Sequence, residues 1–133
     1  PSAVRDRRIA HGRMHIEALL LAFEDPVEAV DRAAAVLEVD PGFCLSDAPN
    51  QFVLFEAACD QRVKGPALRL AENFLARFPN SPRAAKVKLR ACELMATDES
   101  ARRPIAEAWY RELMVADLAE PEAERLRALK SVY

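Results

Sequence analysis

The sequence predicts an all-α chain built of antiparallel helix pairs, and three observations carry that prediction. Just over half of the 133 residues are hydrophobic (51%), only three are Gly and 7% are aromatic, a mix suited to closely packed helices rather than strands. Apolar residues recur at helical spacing along most of the chain. Most prolines stand at the start of such a stretch or just past its end, where a missing N–H does least harm. The length fits one domain, 1–133, with enough apolar residues for a core.

About seven helices are expected. The first covers 2–23, where Ile9, Ile16, Leu19, Leu20 and Phe23 form a stripe and Gly12 weakens the middle. The second opens at Asp25-Pro26-Val27-Glu28, with Asp25 capping, Pro26 in the first helical position and Glu28 completing a capping box. It ends at Asp40-Pro41-Gly42, and a loop over 40–48 carries Phe43, Cys44 and Leu45. The third runs from about 48 to 62 and stops at Lys64-Gly65-Pro66, which starts the fourth. Phe78-Pro79 closes the fourth, and Ser81-Pro82 is read as cap and first turn of the fifth, which ends near 97. The sixth covers 101–116, its start blurred by Pro104, and the last covers 121–133.

The even-numbered helices repeat one another. Ala29, Ala67 and Ala106 each stand in a first turn, at a period of about 38 to 39 residues. Eight residues on come Leu37, Leu75 and Met114, followed by the closing pairs Asp40-Pro41, Phe78-Pro79 and Asp117-Leu118. A small residue lets two helices approach closely, and one helix pair cannot bury its apolar face alone, so pairs must stack. This pattern resembles the tetratricopeptide repeat, with its early Ala, mid-helix aromatic (Tyr110 here) and closing Pro. The resemblance implies a right-handed superhelix of three pairs, 1–41, 47–79 and 82–118, with the extra helix 121–133 covering the end. Other helical-hairpin repeats share these features.

Composition excludes several functions. A net charge of −2 exerts no global pull on nucleic acid or anionic membrane. No apolar run approaches the ~18 residues needed to span a bilayer, so direct membrane insertion is not expected. Cys44, Cys59 and Cys92 stand alone, with no C-x-x-C, and read as buried thiols in a reducing compartment. His11 and His15, four apart on the first helix, could supply half a zinc site, but no further ligand stands near them. No cofactor, metal or catalytic residue is expected, since no nucleophile–base arrangement or phosphate loop is readable. The chain begins at Pro1 rather than Met, so its start is read as a processed or truncated end.

One candidate site remains. Arg83, Lys86 and Arg90 fall on one face of the fifth helix, opposite Ala85, Leu89, Cys92 and Ala96. In a tetratricopeptide array the odd helices line the concave groove, where such a stripe would attract an acidic segment. Lys86-x-x-x-Arg90 resembles half of the carboxylate clamp of chaperone adaptors, but Arg13 and Glu17 are a poor match for the other half. Phe52 and Glu56 on the third helix face the same groove in this register, and an exposed aromatic there would serve as an anchor. Trp109 and Tyr110 read as packing between pairs.

A narrower resemblance lies in Arg77-Phe78-Pro79-Asn80-Ser81-Pro82-Arg83, then Glu93, then Ala106-x-x-x-Tyr110-x-x-Leu113-x-x-x-Asp117. With Pro66-Ala67-Leu68 and Phe55-Glu56-Ala57-Ala58-Cys59-Asp60, this is similar to the family of subunit 2 of the endoplasmic-reticulum membrane protein complex, over roughly 27–130. The resemblance implies a scaffold without enzymatic activity. It would be cytoplasmic, peripheral on the cytosolic face of the endoplasmic reticulum, and would grip cytosolic segments of membrane-protein subunits. The alternative expectation is a regulatory or substrate-recruiting repeat domain of a larger soluble enzyme or chaperone assembly.

Overall fold

Two aspartates open the first two helices that the structure delimits. Asp25 accepts from the Glu28 N–H at 3.0 Å and Asp47 from the Asn50 N–H at 2.8 Å, each with proline in the first turn. This computed structural model describes residues 24–133 together with Gly12, Ile16 and Glu17. Six helices are delimited among them: α1 (Pro26–Val39), α2 (Ala48–Asp60), α3 (Lys64–Arg77), α4 (Ala84–Leu94), α5 (Arg103–Met114) and α6 (Glu122–Ala128). No strand occurs among the described residues. The count is six where about seven were expected, because the predicted helix over 2–23 lies outside the described residues except at Gly12, Ile16 and Glu17, which are helical. A Cβ on Gly12 would stand 3.0 Å from Val36 Cγ2, so glycine there permits close approach to α1.

Several boundaries differ from the sequence expectation for physical reasons. The capping box at α1 is half formed, because Glu28 turns to Arg32 (3.2 Å) instead of reaching back to Asp25. Lys64-Gly65-Pro66 is the first turn of α3 and does not stop α2. A Schellman turn stops α2: the Val63 N–H reaches the Ala58 carbonyl and the Arg62 N–H that of Cys59. Ser81 does not cap α4. Its hydroxyl accepts from the Arg83 N–H at 3.2 Å inside a turn, and the helix begins at Ala84. Proline ends α1 and α3 as expected, since Asp40 and Phe78, each preceding a Pro, leave the helical region at φ −132° and −123°.

Contacts fix the directions. Gln61 Nε2, past the end of α2, donates to the Pro26 carbonyl at the start of α1, so these two run antiparallel. Phe52, early in α2, meets Phe74, late in α3. Cys92 Sγ, late in α4, donates to the Ala106 carbonyl early in α5. Neighbours in sequence are therefore antiparallel hairpins. Alternate helices run parallel: α2 packs on α4 and α4 on α6 along one side, and α1 packs on α3 along the other. Ala29, Ala67 and Ala106, the small residues aligned in the sequence, are all fully buried. The third long apolar residue of the repeat, Met114, is 54% exposed and takes no part in the core.

The 40–48 loop is stapled down. Phe43, Cys44 and Leu45 are buried. Asn73 on α3 donates to the Pro41 and Phe43 carbonyls, both at 2.8 Å. Gln51, fully buried, accepts from the Leu45 N–H at 3.0 Å and donates to the Leu70 carbonyl at 3.1 Å. Gln51→Leu is expected to destabilise the protein by about 1–3 kcal/mol, because the buried Leu45 N–H is left without an acceptor. Urea unfolding followed by circular dichroism measures this, and an unshifted midpoint would show that Asn73 and the buried side chains hold the loop without Gln51.

Arg62 adopts φ +56° at the position of the Schellman turn where glycine is favoured. Arg62→Gly is expected to raise stability by about 0.5–1 kcal/mol by removing that backbone strain. A lower melting temperature for this variant would mean that the arginine side chain contributes more than the strain removes.

Candidate functional site

The parallel helices α2, α4 and α6 bring several of their charged side chains together on one face. All five residues singled out in the sequence lie there. Phe52 is half-buried, its ring 6.5 Å from those of Phe55 and Phe74, so it is backed by the core. The Arg83 guanidinium sits 5.7 Å over the Phe52 ring. Arg90 reaches across to Asp60 on α2 at 2.9 Å. Lys86 turns the other way, 3.9 Å from Glu122 on α6. Glu56 lies between, close enough for its charge to act on both Cys59 and Arg125.

The basic stripe is thus largely neutralised. Its partners Asp60 and Glu122 stand on neighbouring helices, and a further pair, Glu93 and Arg125, joins α4 to α6 with two hydrogen bonds, one of them 3.1 Å from Nε. Sequence reasoning missed Asp60, Glu93, Glu122 and Arg125, and no local spacing signals them, since each partner is many residues away. The Glu93 hydrogen bond, ahead of the charges of Glu93, Glu122 and Glu56, holds the Arg125 pKa above its ordinary value. Where α2 and α4 end, Cys59, Asp60, Arg62, Arg90, Glu93 and Leu94 line an open polar depression of about 400 Å³.

Two buried thiols, Cys59 and Cys92, lie beside this face. Burial, more than the flanking carboxylates, pushes Cys59 and Cys92 up to about 12. Burial does the same to Tyr133, whose hydroxyl donates to the Cys92 carbonyl at 2.6 Å. A pKa raised on folding contributes stability that is whole below the unfolded value and lost as pH rises through the folded one. With unfolded values near 9.0 for the thiols and 10.0 for the phenol, the melting temperature is expected to hold up to about pH 9 and fall from there to about pH 12. Thermal melts across that range check it, and a Cys59→Ala/Cys92→Ala variant should fall less steeply. Equal slopes would show that the thiols do not resist ionisation.

Among the described residues no group of three His, Cys, Asp or Glu side chains is placed to hold a metal ion, and no helix is long and apolar enough to cross a membrane. His11, Arg13 and His15 lie outside the described residues. Glu17 accepts from the Ser46 hydroxyl at 2.9 Å and is committed to the 40–48 loop. Trp109 packs between the two parts of the core, and Tyr110 stacks on Tyr133 at 5.0 Å. Compared with known proteins, the chain matches no protein-family model, no curated protein and no solved structure.

Proposed function

We propose that the chain is a protein-holding scaffold, a tetratricopeptide-like right-handed stack of hairpins whose inner wall is the α2/α4/α6 face. The observation that carries the reading is the parallel alignment of these three helices side by side, with a half-buried aromatic and a ladder of charges along their common surface. Such a wall receives an extended segment of a partner, with backbone and charges as handles. The resemblance to subunit 2 of the endoplasmic-reticulum membrane protein complex supports a setting at the cytosolic face of that membrane, with cytosolic segments of membrane-protein subunits as partners.

The test uses a photoreactive residue in place of Glu56 or, on α1, of Arg32. The full chain is offered an array of blocked peptides, including cytosolic loops of membrane-protein subunits. Cross-links are expected from position 56 and not from position 32. Equal labelling from both, or none, sinks the reading. Arg90→Glu is a poor probe, since it would set a carboxylate beside Asp60 and Glu93 and destabilise the fold for reasons unrelated to binding.

A further inference from the structure

We infer that the α2/α4 seam takes an extended internal peptide segment whose charges alternate, acidic at position i, basic at i+2 and acidic at i+4. The inference rests on the scaffold reading and goes beyond it by specifying the segment. Charges on the face sort into two groups. Lys86, Arg90 and Arg125 are held by Glu122, Asp60 and Glu93, and they brace one helix against the next. Arg83, Glu56 and Arg62 stand in no close ion pair among the described residues, although the charge of Glu56 is also felt at Arg125. Arg83 lies over Phe52, at the start of α2. Glu56 follows one helical turn on. Arg62 stands past the end of α2 on the rim of the polar depression, set there by its left-handed backbone.

The spacing selects the ligand. At 1.5 Å per residue, Glu56 is about 6 Å along α2 from Phe52, and the last helical residue, Asp60, is about 12 Å along, with Arg62 just beyond it. An extended peptide presents i, i+2 and i+4 on one face, with the last two about 6.6 Å and 13 Å from the first. The two ladders agree within the reach of an arginine side chain. The seam reads positive, negative, positive, so its complement reads negative, positive, negative. A run of carboxylates, the ligand that an unpaired basic stripe would attract, meets Glu56 in its middle. Nothing in this register calls for a chain terminus, so the segment can be internal.

Fluorescence anisotropy with blocked, labelled peptides tests the register on the full chain at low salt. The core Glu-Thr-Lys-Thr-Glu is expected to bind about tenfold or more tighter than Glu-Thr-Glu-Thr-Glu, Lys-Thr-Glu-Thr-Lys or the rearranged Glu-Lys-Thr-Thr-Glu. Glu56→Lys should switch the preference to the all-glutamate core. Arg62→Glu and Arg83→Glu should each weaken the alternating peptide about tenfold while melting near the parent temperature. Equal affinity for the alternating and rearranged cores overturns the inference, as does a Glu56→Lys chain that keeps the parent preference. Peptides of other charge pattern that cross-link at position 56 would leave the scaffold standing and remove the charge register. Binding of no peptide would remove both.

Discussion

Arg103→Ala is expected to lower the unfolding free energy by about 3–4 kcal/mol, a large share of the stability of a domain this size. The side chain ties two regions together. Its Nη1 donates to the carbonyls of Met95, Ala96 and Asp98, at 3.3, 2.9 and 3.2 Å, which closes the C-terminal end of α4. Nη2 donates to the Val132 carbonyl at 2.6 Å, and the guanidinium lies 4.4 Å over the Tyr133 ring. Removing it takes the side-chain donor from the Ala96 and Asp98 carbonyls past the end of a helix and leaves the C-terminal turn held to α5 by the Tyr110–Tyr133 stack without the guanidinium. Arg103→Lys should recover little, because an ammonium cannot reproduce the planar fork that serves both sets of carbonyls. Urea titrations of the two variants measure this. A loss below about 1 kcal/mol for alanine would mean that water replaces the guanidinium without penalty.

Phe74→Ala is expected to cost about 3–5 kcal/mol, the range for truncating a fully buried aromatic. Phe74 has no exposed surface, and its ring is 5.4 Å from Phe78 and 6.5 Å from Phe52. The effect should reach the proposed binding wall, since Phe52 loses the surface that backs it under Arg83. Phe74→Leu, closer in volume, should cost about 1.5 kcal/mol or less and spare peptide binding. Denaturant midpoints give the stability and anisotropy gives the binding. An alanine variant that melts near the parent would show that the α2/α3 interface collapses around the gap.

The sequence made some of this legible and hid the rest. Proline and aspartate mark the starts of α1 and α2 because capping and the missing N–H act within one turn. The burial of Ala29, Ala67 and Ala106 was readable because each stands on the apolar stripe of its helix. Gln51 was not, since a polar residue on a helix gives no sign that a loop amide awaits it. The ion pairs of Lys86 and Arg90 were hidden for a related reason. Their residue types show a basic stripe, but whether it is free depends on Asp60 and Glu122, which only the stacking brings near. The end of α2 was misplaced because a Schellman turn normally carries Gly, and here Arg62 occupies that position.

That arginine has a consequence for how the chain was shaped. A folded protein needs only enough stability to clear a threshold, and glycine in this turn would add to the margin at no cost to the helix. Holding arginine there instead means giving up part of the margin at one surface position. A chain that clears the threshold can carry such a residue without being purged of it. Residue 62 is therefore a place where a single substitution can regain stability without disturbing any packed side chain, since Arg62 is exposed.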